Sequence, residues 1–171
     1  MQSVGSIWSE DFSDLQFLRD AYGAGVVGNP TPVESPYGRA LSFDGSDDKI
    51  VIGLVHGTVK SLMMRVWLAS TTEQILDFDS GTNFLSASAG TLSVATCADE
   101  VLYVNGAATA TITAGGWRNI AFTTATGITV SNLQVATDNT DFGEIICKDL
   151  IMFGRELSST EISDFHYGRS F

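Results

Sequence analysis

The sequence is poor in positive charge. Nine Lys and Arg stand against twenty Asp and Glu, for a formal net charge of −11 at pH 7, and the basic residues are scattered along the chain. A phosphate backbone or an anionic bilayer repels such a surface, which excludes nucleic acid as a partner. Long apolar runs are also missing. Nothing approaches the ~18 consecutive apolar residues of a membrane span, so no membrane insertion is expected. The opening Met1-Gln2-Ser3-Val4-Gly5-Ser6 has neither the basic stretch nor the apolar run of a secretory leader, and synthesis in a cytoplasm is expected. Cysteine is scarce: Cys97 and Cys147 form no CxxC pair. They read as buried free thiols, with a disulfide left open because it requires Cα atoms within about 7 Å. Pro30 blocks the one Asn-x-Thr sequon, Asn29-Pro30-Thr31.

Catalytic patterns are scarce as well. His56 and His166 are the two histidines, and neither belongs to a G-x-S-x-G elbow or an H-E-x-x-H helix. Glycoside hydrolysis needs two carboxyls about 5–9.5 Å apart. Some sandwich glucanases carry them on one strand as E-x-D-x-x-E, and Gln74-Ile75-Leu76-Asp77 offers an amide where the first acid would stand. On these grounds the chain is expected not to be an enzyme.

What the sequence does have is a core and a period of two. Its 171 residues are 44% hydrophobic and 17% charged, which suits one globular domain, residues 1–171. Ala40 to Asp44 and Lys49 to Ile52 flank Gly45-Ser46-Asp47-Asp48, a hairpin signal. In Leu62 to Leu68, Leu62, Met64, Val66 and Leu68 are uniformly apolar, while Met63, Arg65 and Trp67 occupy the other face; such a strand belongs in mid-sheet. Further strand patterns run through 74–78, 84–88, 91–97, 101–104, 108–113, 117–124, 127–136 and 144–153. Asn105-Gly106 marks a two-residue turn, because both positions accept positive φ. Near the end, Ser158 and Glu161 form a capping box, with Leu157 and Ile162 as a hydrophobic staple, predicting a helix over 159–167. A weaker helical spacing covers Asp14 to Tyr22, and 23–38 reads as a loop with an edge strand. The fold class expected is all-β: a two-sheet antiparallel jelly-roll sandwich with a short C-terminal helix.

Three patterns bear on binding. Gly23-Ala24-Gly25-Val26-Val27-Gly28 has the letters of a dinucleotide fingerprint, but Pro30 and Pro32 prevent the helix that the fingerprint must open. Asp77-Phe78-Asp79-Ser80-Gly81-Thr82-Asn83 alternates oxygen ligands. Its plain reading is an acidic turn with Phe78 inward and the carboxylates in water; its functional reading is a calcium site at Asp77, Asp79 and Asn83. Aromatic side chains supply the third. Trp67, Phe122 and Phe153 read as core and Trp117 as packing, whereas Tyr22, Tyr37, Tyr103 and Tyr167 are candidate stacking platforms, the first three being the candidates for a ligand site.

Taken in order, Ala40-Leu41-Ser42-Phe43-Asp44-Gly45-Ser46-Asp47-Asp48, the Val66-Trp67 strand, Leu102-Tyr103-Val104-Asn105-Gly106, Gly116-Trp117-Arg118-Asn119-Ile120-Ala121 and Asp149 to Ile162 resemble a laminin-G-like domain of the concanavalin A-like lectin/glucanase superfamily. The resemblance runs from about Gly38 to the end and implies a jelly roll of roughly a dozen strands. The Leu102 to Gly106 hairpin precedes the Trp117 strand, an order similar to domains of phage and other virion proteins. Lys148 stands where such domains often carry an acid before Asp149. The resemblance implies a non-enzymatic binding or assembly module on a virion surface, as a decoration or tail-associated protein. Its partners would be other structural proteins or glycans, with a homo-oligomer open. The alternative is a lectin-type carbohydrate-binding module, assisted by calcium or needing no cofactor.

Overall fold

The computed structural model describes residues 6–12, 25–55 and 57–168. The Asp14 to Tyr22 helix, Tyr22 as a stacking platform, and His56 all lie outside the described residues.

Fourteen strands and one helix account for the described chain. One sheet contains β1 (Ser6–Asp11), β3 (Thr31–Ser35), β4 (Gly38–Ser42), β6 (Thr58–Leu68), β10 (Val101–Val104), β11 (Ala107–Ala108), β12 (Trp117–Thr129) and β14 (Ile145–Phe153). Its order is β11-β10-β12-β6-β14-β4-β3, with β1 also paired to β14. The second contains β2 (Gly25–Val27), β5 (Lys49–Gly53), β7 (Glu73–Asp77), β8 (Phe84–Ser88), β9 (Thr91–Val94) and β13 (Leu133–Val135), in the order β2-β5-β13-β7-β8-β9. Every named pairing is antiparallel. The architecture is the expected two-sheet antiparallel sandwich of the jelly-roll kind, with a short C-terminal helix.

Alternation builds the core. Leu62, Met64, Val66 and Leu68 of β6 face the second sheet, together with Ile120 and Phe122 of β12 and Leu150 and Met152 of β14. Ile50, Ile75, Leu76, Leu85 and Val135 answer from the other side. Phe78 meets Phe122 edge to face, with centroids 6.0 Å apart and planes at 80°. β6 lies between β12 and β14, so both of its edges are paired, as its two-sided pattern predicts. No disulfide joins Cys97 and Cys147; Cys147 is buried as expected, whereas Cys97 is only half-buried.

The final helix, α1 (Ser159–His166), begins on the predicted capping box. The Ser158 hydroxyl accepts from the Glu161 N–H at 3.3 Å, and the Glu161 carboxylate accepts from the Ser158 N–H at 2.9 Å. Ile162 and Phe165 bury against Met63, Tyr103, Ala121 and Phe153, a second core on the outer face of the larger sheet. Asn105 (φ 52°) and Gly106 (φ 80°) form the predicted turn between β10 and β11.

Four local expectations differ from the structure. The 108–113 pattern is a strand only at its start, in β11 (Ala107–Ala108). The segments 40–44 and 49–52 are not a hairpin: β4 pairs with β14 and β3, and β5 with β13 and β2, so the acidic link between them crosses from one sheet to the other. The segment 127–136 divides, its first part ending β12 and its last part forming β13. Trp67 is not core. It faces outward on β6, half-buried, opposite Trp117 and Ile146 on the neighbouring strands.

Candidate functional site

Three connections meet at one end of the sandwich: the turn from β7 to β8, the link from β9 to β10, and the last residues of β12 with those that follow. They enclose an open cleft of about 480 Å³, lined by Asp79, Asn83, Thr96, Cys97, Ala98, Asp99, Thr126, Gly127, Ile128, Thr129 and Ser131. The wall is made of hydroxyls, one amide and two carboxylates, with an apolar floor at Ile128.

Each wall is fixed from within. The Asp77 carboxylate accepts from the N–H groups of Asp79 at 3.1 Å and Gly81 at 2.9 Å on Oδ1, and from Gln134 Nε2 at 2.9 Å on Oδ2. Asp79 Oδ1 accepts from the N–H groups of Thr82 at 3.1 Å and Asn83 at 2.7 Å, and its Oδ2 from Asn83 Nδ2 at 2.5 Å. Asn83 Oδ1 in turn accepts from the Thr96 hydroxyl, tying the first connection to the second. Opposite, Asp99 accepts from the Thr124 hydroxyl at 2.6 Å and from the Thr126 N–H and hydroxyl at 2.8 and 3.0 Å. The Thr124 hydroxyl, and after it the Thr126 N–H, hold the Asp99 carboxyl far below the usual carboxylate range. At the back, burial pushes the Cys97 thiol up from its ordinary value, so it stays protonated near neutrality.

The residues singled out in the sequence are distributed unevenly. Asp79 and Asn83 line the cleft. Asp77 does not; it is wholly buried beneath the wall, so the expectation of carboxylates in water fails for it. The reason lies in Gln134, which pairs with it across β13 and β7. The oxygens of Asp77 and Asp79 are thus directed at N–H donors. Among the described residues, the group of three carboxylates whose oxygens all come within 4.8 Å of one another is Asp44, Asp47 and Asp48, beside a smaller cleft of about 320 Å³. Asp48 there accepts from the N–H groups of Asn29 at 2.5 Å and Asp44 at 3.1 Å. Tyr103 is 8% exposed under α1; it cannot stack on a ligand, because the helix covers the face on which it lies. Tyr37, 44% exposed, tops the outer face of the larger sheet. It meets Trp117 edge to face at 5.6 Å and lies 5.0 Å from the Arg65 guanidinium. Arg65 also lies over Phe165 at 4.7 Å and pairs with Asp149 at 2.5 Å.

Asp99, Thr126 and Thr129 line the cleft and escaped the sequence reading. Thr126 lies twenty-seven positions beyond its partner Asp99, and no spacing rule links them. The one local sign was the acidic turn at Ala98-Asp99-Glu100.

No family model matches this chain, and no curated protein matches it either. Solved structures of the same fold do. A Trypanosoma rangeli sialidase in complex with 2,3-difluorosialic acid, a covalent intermediate, superposes with a TM-score of 0.62 at 13% identity, over 96% of this chain and 33% of the sialidase chain. The receptor-binding domain of a botulinum neurotoxin C/D mosaic serotype superposes with a TM-score of 0.57 at 11% identity, over 96% of this chain and 51% of that chain. The chain therefore spans about a third of the sialidase and half of the toxin domain. At these identities the likeness is one of fold alone. It nevertheless overturns the expectation that the chain is not an enzyme: sandwiches of this kind form part of sialidase chains, so missing motifs do not define the class. No helix among the described residues is long and apolar enough to cross a membrane.

Proposed function

We propose that the chain is a glycan-binding module of laminin-G-like type, a single domain over 1–171, with its ligand held in the cleft between Asp79 and Asp99. The observation that carries this reading is the wall itself. Sugars are recognised through dense donor and acceptor pairs, and a binding site needs a few polar groups held in place beforehand. Here the Asp79 and Asp99 carboxylates are each fixed by three or more hydrogen bonds, with the hydroxyls of Thr96, Thr126, Thr129 and Ser131 between them. The fold shared with a sialidase and a toxin receptor-binding domain is compatible with such a role.

Because the internal bonds of the Asp77 to Asn83 turn shape it, binding is expected to need no added metal. Calcium at Asp77, Asp79 and Asn83 is the competing proposal. A glycan array run with calcium and with chelator separates the two. The expected result is saturable binding in both conditions and its loss in Ala98→Trp, which fills the cleft from an exposed position. Binding lost in chelator would establish the calcium role, and binding untouched by Ala98→Trp would remove the cleft from the account. A virion-surface location is a second reading. It draws on the β10–β11 hairpin preceding β12, the order seen in phage domains, and immunogold labelling of particles tests it.

A further inference from the structure

The same cleft constrains the charge of what it binds, and this inference rests on the glycan-binding reading above. We infer that the ligand class is uncharged or amine-bearing sugar, and that carboxylated and sulfated sugars are excluded. Two carboxylates, Asp79 and Asp99, face the cleft, and among the described residues the eleven that line it include no Lys, Arg or His. Lys60 brings its side-chain stem close to Gly127 but contributes nothing to the lining. A sialic or uronic acid is ordinarily met by a cation, most often the fork of an arginine. An acidic ligand entering here would set a third negative charge against two that their own hydrogen bonds keep in place.

Those hydrogen bonds also decide what remains to offer. Asp99 accepts from Thr124 on one oxygen and from Thr126 on the other, and Asp79 accepts on both. Asp79, with three bonds accepted, keeps one of a carboxylate's about four lone-pair positions for a ligand, while Asp99, which also accepts from the Cys97 thiol at 3.5 Å, presents mainly its charge. Sugar hydroxyls and ammonium groups, both donors, complement that surface. An anionic sugar presents acceptors to acceptors.

The test is titration of the full chain with matched glycans that bind the array: a neutral oligosaccharide, its sialylated and sulfated counterparts, and its de-N-acetylated amine. Dissociation constants are compared for the wild type and for Thr129→Lys, which adds a cation at an exposed position of the wall. The expected result is at least tenfold weaker binding of both acidic forms, equal or tighter binding of the amine, and a narrowed gap in Thr129→Lys. Acidic forms that bind as tightly as the neutral one would overturn the charge rule while leaving the glycan-binding reading intact. Failure of every glycan, neutral and amine included, would overturn that reading and this inference with it.

Discussion

At the scale of single residues, the organising feature is a buried polar layer along β7, β13 and the turn after it, whose Asp77 end underlies the cleft. Asp77, Gln134, Glu73 and Thr137 are all under 10% exposed. Glu73 accepts from the N–H groups of Ser70 and Glu144, both at 2.8 Å. Removing one partner from such a layer leaves donors without water or acceptor, which costs more than the bond contributed. Asp77→Ala is therefore expected to destabilise by about 3 kcal/mol in urea denaturation, and to weaken glycan binding by loosening the Asp79 turn. Gly143 makes a sharper case. A Cβ there would sit 1.9 Å from the Gln74 carbonyl oxygen, and backbone cannot swing aside as a long side chain can. Gly143→Ala is expected to cost more than about 2 kcal/mol, measured the same way. None of this was legible in the sequence, because an acid beside a turn looks solvated until its partner is known, and Gln134 lies 57 positions away.

Elements behave differently, because their signals are local. The capping box at Ser158 and Glu161 spans four residues, and the sequence placed it correctly. Ser158→Ala is expected to cost about 1 kcal/mol, read from a thermal or urea midpoint. The Arg155 guanidinium, 2.5 Å from the Glu161 carboxylate, and then the Ser158 N–H hold that carboxyl down at about 2. The folded value lies below the ordinary 4.5. The contribution to stability is thus fully present above that ordinary value and is lost as pH falls from about 4.5 towards 2. The pair is partly exposed and screened, so the loss amounts to no more than about 1 kcal/mol. Glu161→Gln should flatten the pH dependence of stability in that window; an unchanged slope would show that other carboxyls produce it. The mistaken hairpin of 40–52 has an equally physical cause. Leu41 and Phe43 point inward from one sheet, Ile50 and Ile52 from the other. Both strands alternate with the same period, and alternation does not say which sheet a strand joins.

Over the whole molecule, the sequence conveyed the architecture better than the site. Strand periods, the Asn105-Gly106 turn and the terminal helix sufficed for a two-sheet sandwich, since each rests on neighbours within a few residues. The cleft is assembled from segments around 79–83, 96–99 and 126–131, joined only by the return of the chain across both sheets. Sequence spacing reached Asp79 and Asn83 and missed Asp99 for that reason. It also proposed Tyr103, which α1 covers, because a strand's outward face is exposed only until another element packs on it. A second outward surface, around Tyr37 and Trp117, lies on the larger sheet and offers the main competitor for a ligand.

The most direct measurement is therefore an amide chemical-shift map of the full chain during titration with a neutral glycan that binds the array. The expected result is a contiguous set of saturating shifts at Asp79, Asn83, Thr96, Ala98, Asp99 and Thr126, lost in Ala98→Trp. Shifts centred on Tyr37, Arg65 and Trp117, with the cleft silent, would contradict the assignment of the site.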